Sequence, residues 1–294
     1  MVQQVTKRRM TLRRVLTWAI VTFLVLCLAL ALYPFAEAKW LKTTRREITV
    51  PALPPEFDGL RVAVLSDIHH GPYLGLDFVR RAVDRANALH PDVIVLLGDY
   101  VHRSPQYIEP CIAELARLRA RAGVYAVLGN HDHWESAPRT RDALAQAGIV
   151  ELTNTGIWLT RGPARLRLCG VDDLWEGTQS LPAALDDCTE KDAAILLSHN
   201  PDYVEEIRDR RVRLVLSGHT HGGQVNIPLR GPPVLPSRYG QKYAEGLVTT
   251  PYTQVFVTRG IGTITPPVRF NCRPEIALLT LRSTVVTSHG RIGD

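Results

Sequence analysis

Short, near-continuous apolar runs in this chain repeatedly break off at an acid, an amide or a histidine. Leu60–Leu65 ends at Ser66-Asp67, Val93–Leu97 at Gly98-Asp99, and Val124–Leu128 at Gly129-Asn130. Ala193–Leu197 ends at Ser198-His199 and Val212–Leu216 at Ser217-Gly218-His219. Runs of this length and composition read as strands buried on both faces. Between the first three lie Leu76–Leu89 and Ile108–Arg121, whose apolar residues recur at helical spacing. Strand, helix, strand, helix, strand implies a parallel sheet covered on both sides. Each polar terminus then falls at the C-terminal edge of a strand, where open α/β sheets bind ligands.

The rest of the chain is less regular. Ile149–Leu152, Ile157–Thr160 and Leu166–Cys169 read as strands of a meander, and Val204–Arg210 as a short helix. Gln254–Thr258 and Ile276–Leu281 read as late strands. Thr43–Phe57 reads as a linker, because Pro51, Pro54 and Pro55 discourage a helix running on from the preceding segment.

That preceding segment explains the charge. The chain of 294 residues carries a formal +6, which alone would suggest nucleic-acid binding. Residues 1–46, however, hold nine Lys or Arg against the single acid Glu37, a net of +8, leaving the body mildly acidic at −2. The basic residues flank Val15–Ala36, which contains no charge and is apolar almost throughout. Its length suits the hydrocarbon of a bilayer. A membrane partner is therefore expected, and no nucleic acid. Ala36-Glu37-Ala38 resembles a signal-peptidase site, and Arg8-Arg9 or Arg13-Arg14 a twin-arginine signal. An apolar stretch longer than a usual signal core favours a retained single-pass anchor. The basic flanks lean toward an inside N-terminus and an extracytoplasmic body. The organisation expected is a basic segment 1–14, an anchor 15–36, a linker 37–56, a catalytic domain 57–283 and a tail 284–294.

The residues at the strand ends form a ligand inventory: Asp67, His69, Asp99, Asn130, His199, His219 and His221. Singly, each is ambiguous, since Asp and Asn suit caps and turns. Together they supply carboxylate, imidazole and amide oxygen for two divalent ions such as Mn, Zn or Fe. The five cysteines show no metal-binding spacing and read as small buried hydrophobes.

Asp67-x-His69, Gly98-Asp99, Gly129-Asn130-His131-Asp132, the isolated His199 and Gly218-His219-Thr220-His221 resemble the motifs of the calcineurin-like metallophosphoesterases. The resemblance runs over about residues 47–282. The stretches 53–61 (LPPEFDGLR), 218–224 (GHTHGGQ), 258–262 (TRGIG) and 269–275 (RFNCRPE) are similar to membrane-associated or exported bacterial phosphodiesterases of the YaeI/YkuE type. The resemblance implies an α/β fold, a sandwich of two mixed sheets flanked by helices. It places Asp67, His69, Asp99 and His221 on one metal and Asn130, His199 and His219 on a second, with Asp99 bridging. It makes His131 a non-ligand catalytic residue that stabilises the transition state or protonates the leaving oxygen. The implied reaction is phosphoester hydrolysis by hydroxide generated on the metals.

Protein Ser/Thr phosphatases of this superfamily carry Gly-Asp-x-Val-Asp-Arg-Gly, whereas this chain has Gly98-Asp99-Tyr100-Val101-His102-Arg103-Ser104. The departure argues against a protein phosphatase and leaves the partner of His131 open. His70, His102 and His133 match no ligand position and are expected to line the pocket or the surface. Arg259 and Arg269 are candidate clamps on a substrate phosphate. The expected substrate is a phosphodiester or a pyrophosphate-linked lipid at a membrane surface. A UDP-sugar lipid pyrophosphatase is the alternative within the class, and a non-catalytic scaffold the alternative outside it.

Overall fold

Successive side chains along the central strands turn to opposite cores in the computed structural model, which describes residues 2–284, with side chains from Arg13 onward. In β2 (Arg61–Leu65) and β3 (Val93–Leu96), Val62, Val64, Val93 and Val95 face one apolar core. Ala63, Leu65, Ile94 and Leu96 face another. Period-two side chains on strands covered from both sides produce this split. The outer core is closed by α2 (Leu76–Asn87), α3 (Ile108–Leu115) and α4 (Asn130–Gln146). The inner core is shared with a second sheet, to which β8 (Ala194–Leu197) contributes Ile195 and Leu197.

The first sheet runs β1 (Lys42–Val50), β12 (Glu275–Ser283), β2, β3, β4 (Val124–Ala126), β5 (Val150–Glu151). The second runs β10 (Gly246–Thr249), β11 (Gln254–Val257), β9 (Val212–Ser217), β8, β7 (Ala164–Gly170), β6 (Thr155–Arg161). Parallel pairs dominate. β12 is antiparallel to β2, β6 to β7 and β10 to β11, so both sheets are mixed. The fold is the two-sheet α/β sandwich with helices outside.

Three local expectations change. The supposed linker holds β1, which pairs in parallel with β12 along its whole length. Ile48 and Val50 are buried there, and the prolines that suggested a linker begin only at Pro51. The supposed meander is divided between the sheets: β5 extends the first beside β4, while β6 and β7 form a hairpin in the second. A turn closed by Thr155 N–H donating to Leu152 O makes that crossing, with Asn154 at φ +53°. Where a helix was expected at Val204–Arg210 there is a 3₁₀ turn, Pro201–Glu205. The tail 285–294 and the side chains of residues 2–12 lie outside the described residues.

Helix α1 (Val2–Glu37) contains Arg13–Glu37, 25 residues long and apolar enough to cross a membrane, with an 18-residue window of mean hydropathy 2.7 in which no residue is buried. Its end is seated on the body. Arg269 N–H donates to Pro34 O at 2.9 Å, and the buried Glu37 carboxylate accepts from Asn271 N at 3.0 Å and Cys272 N at 2.8 Å. The Tyr33 and Phe270 rings meet edge to face at 6.0 Å.

Candidate metal centre

The loops that follow β2, β3, β4, β8 and β9 converge because parallel strands present their C-terminal ends to the same edge. At that edge two triads form. Asp67, His69 and His221 bring ligand atoms within 4.8 Å of one another, and so do Asp99, His199 and His219. Asp99 sits between them: its Oδ2 lies 3.4 Å from His69 Nε2 and 3.2 Å from His199 Nε2. Asn130 is buried beside them, at the start of α4.

The backbone is bent to make this convergence. Asp67, His69, Asp99, His219 and His221 all adopt φ between +49° and +69°, a region costly for residues with a Cβ. Two glycines permit the close approach. A Cβ at Gly129 would lie 2.3 Å from Asp99 Oδ1, and one at Gly218 would lie 2.4 Å from Asp67 Oδ2. Hydrogen bonds then tie the loops together. Asp67 accepts from His219 N at 3.0 Å, Asp99 Oδ1 accepts from His131 N at 2.9 Å, and His199 Nδ1 lies 2.6 Å from Leu97 O. The last contact fixes the ring so that Nε2 faces Asp99, as a carbonyl behind a ligating imidazole does.

Burial sets the electrostatics. It drives His69 and His221 well below the usual histidine range and His219 down to about 3, so these rings are neutral with free lone pairs. Burial also opposes charge on His199, yet Asp99, Asp67 and Asp173 around it push it up to about 10. Asp67, buried and close to Asp99, is pushed up to about 6. Among the described residues, the neutral rings of His69, His219 and His221 crowd two carboxylates beside His199, and His219 Nε2 and Asn130 Oδ1 are buried with no hydrogen-bond partner. Orphaned buried acceptors of this kind are costly, and divalent cations satisfy them. The residues present fit a metal centre.

Asp132 was not singled out by sequence reasoning as a site residue, although it stands two positions after Asn130. Its Oδ2 accepts from Asp99 N at 2.7 Å and Gly129 N at 2.9 Å, and its Oδ1 from Tyr100 N at 2.9 Å. It thereby clips two motif loops together at the N-terminus of α4, where a carboxylate also suits the helix dipole. Two exposed tryptophans were also unforeseen. Trp175 stands edge-on to His219 at 4.4 Å and Trp134 to His131 at 4.6 Å, and Trp134 Nε1 donates to Glu176 across the mouth at 2.7 Å. His102 Nδ1 lies 3.4 Å from His131 Nδ1, in the place left open for a partner of His131. His70 faces Leu74 O, and His133 pairs with Asp172 at 2.9 Å.

The arginines are a correction. Arg269 is wholly buried, and its guanidinium donates to the carbonyls of Gly262, Arg259, Cys272 and His221. Arg259 is paired with Glu275 at 2.6 Å and Glu245 at 3.1 Å. Arg259 is turned toward these carboxylates, and Arg269 buttresses the loop carrying His221. Arg269→Met strands several buried carbonyls, so it is expected to cost about 3–5 kcal/mol and lower Tm by roughly 10 °C. Thermal unfolding of the full chain checks this, and an unchanged Tm would return Arg269 to the list of substrate contacts.

The model of the family described as calcineurin-like phosphoesterase matches residues 60–223, which span the site from β2 to the last histidine loop. The chain belongs to this family: it is a metallophosphoesterase, a metal-dependent hydrolase of phosphoric esters. It is 33% identical to the uncharacterized metallophosphoesterase YkuE of Bacillus subtilis over 255 residues, 85% of this chain and 88% of the relative. It is 32% identical to the phosphodiesterase YaeI of Escherichia coli, over 75% of this chain and 82% of the relative. The transmembrane protein with metallophosphoesterase domain of Danio rerio is 32% identical over 88% of this chain and 62% of its own length.

Proposed function

We propose that the protein is a phosphodiesterase held at a membrane surface by α1, with two divalent ions, Mn, Zn or Fe, in the paired triads. The observation that carries the reading is Asp99, one carboxylate oxygen shared between His69 and His199 of the two triads. Ions there would polarise the phosphoryl oxygens and lower the pKa of water. The chain's own residues do the rest. Asp67, His69 and His221 would hold one ion, and Asn130, His199 and His219 the other. The Asp99 carboxylate, placed between the triads, would serve both and offset the repulsion between them. His131, half-buried at the mouth and supported by His102 and Trp134, donates a proton to the leaving oxygen.

The seating of Glu37 on the 271–272 backbone supports a retained helix, because cleavage after Ala38 would remove a buried, hydrogen-bonded side chain of the body. The positive-inside rule, with five basic residues before the span and four after it, then favours a catalytic domain outside the cytoplasm. The test compares the full chain in nanodiscs with a chain starting at Glu37, on a soluble diester and on a liposome-embedded one. Chelation should abolish turnover in both, and Mn, Zn or Fe should restore it. The shorter chain should match on the soluble diester and lose about 10²-fold on the embedded one, since the anchor contributes only local concentration. Turnover that survives chelation, or equal rates on both substrates for both chains, would refute the reading.

A further inference from the structure

An apolar cleft of about 320 Å³ opens beside the histidine cluster and shares His221 with it. Val225, Pro233, Val234, Pro236, Ile264 and Val268 form its walls, and among the described residues no Asp, Glu, Lys or Arg lines it. The polar residues that reach it have their polar groups engaged elsewhere. Gln224 accepts from Ile264 N at 2.7 Å and donates to Pro266 O at 3.2 Å, while Thr220 Oγ1 donates to Ala244 O at 2.8 Å. A sugar or a charged group entering this cleft would lose water and gain few partners, whereas a hydrocarbon chain would not.

The cleft is continuous with the seat of the apolar helix. Val268 is followed by Arg269, whose N–H donates to Pro34 O in the last turns of α1. Next comes Phe270, which meets the Tyr33 ring and forms a backbone bridge with Val225 of the opposite wall. Val234 is 77% exposed on the rim, and Leu229 stands fully exposed on the same loop. Trp40, just past the helix end, is also exposed, under Arg273 at 4.1 Å. One end of the cleft therefore touches a proposed metal ligand. Its wall adjoins the point where α1 meets the body, the level of the membrane interface if α1 spans it.

We propose that the cleft takes a hydrocarbon chain of a lipid phosphoester, drawn from the leaflet at the end of α1, while the phosphate lies at the Asp/His cluster. This rests on the phosphodiesterase reading above and names its substrate class. Each methylene that enters an apolar site should raise kcat/KM about threefold to fourfold until the cleft is full.

The experiment uses the full chain in nanodiscs with methyl, butyl, hexyl and octyl p-nitrophenyl phosphodiesters. The wild type should climb steeply along the series and then level off. Val234→Glu, a rim change at an exposed position, and Val268→Glu should flatten the climb while leaving the methyl ester unchanged. A flat wild-type series, or a slope that persists in both variants, overturns the proposal. A second readout needs no turnover: a diazirine-bearing octyl phosphonate should crosslink within 225–236 or 264–268, in competition with octyl phosphate. Labelling elsewhere also overturns it. Crosslinking in the cleft without hydrolysis of any diester would sink the phosphodiesterase reading alone, and hydrolysis with a flat series would sink the lipid-chain assignment alone.

Discussion

Asp99→Asn is expected to lower kcat by on the order of 10³-fold or more and to reduce bound metal. The carboxylate is fully buried, and although burial alone would raise its pKa, His199 and His69 hold it well below the usual range. It is ionised, and it faces both triads through one oxygen. An amide at this position keeps the shape, and its Oδ1 can still accept from His131 N, but the negative charge that would lie between the two proposed cations is gone. Elemental analysis of purified protein beside steady-state rates checks both consequences. Full metal content with near wild-type turnover would remove Asp99 from the bridging role.

His131→Ala is expected to separate chemistry from metal binding, with kcat down about 10²–10⁴-fold and metal content unchanged. The side chain lies toward the mouth, against Trp134 and within 3.4 Å of His102, while its backbone N–H already serves Asp99. Burial, followed by His131 and Arg103, pushes His102 down to about 4, so it stands beside the His131 ring as a neutral partner at neutral pH. One arrangement competes with this assignment: His69, His102 and His131 also bring ring nitrogens within 4.8 Å of one another. Loss of one metal equivalent together with rate in His131→Ala would show that this third cluster binds an ion and that His131 is a ligand.

Much of the fold was legible because it is written in local periodicity. Val62 to Leu65 and Val93 to Leu97 are apolar at every position, and such a run has few options besides a strand buried on both faces. Once those strands are parallel, the residues after them must meet at one edge, so the ligand inventory could be read before any coordinate. β1 was hidden because its alternation is short and mostly polar, KTTRREITV, and it becomes a strand only by pairing with β12 more than 200 residues later. β5 was read as one meander with β6 and β7 because two residues carry no information about which edge they will join.

The sequence by itself determined the family, the residue types at the site and the presence of one long apolar segment. Only the tertiary structure decided which residues act together. Asp67 accepts from His219 across 152 positions, Asp132 clips the Asp99 loop, and Arg269 turns inward to brace His221 while Glu37 of the apolar helix holds the backbone beside it. A buried arginine and a phosphate clamp look alike in a string of letters. What separates them is where the guanidinium finds its acceptors, and for Arg269 those are carbonyls that the fold brings to it.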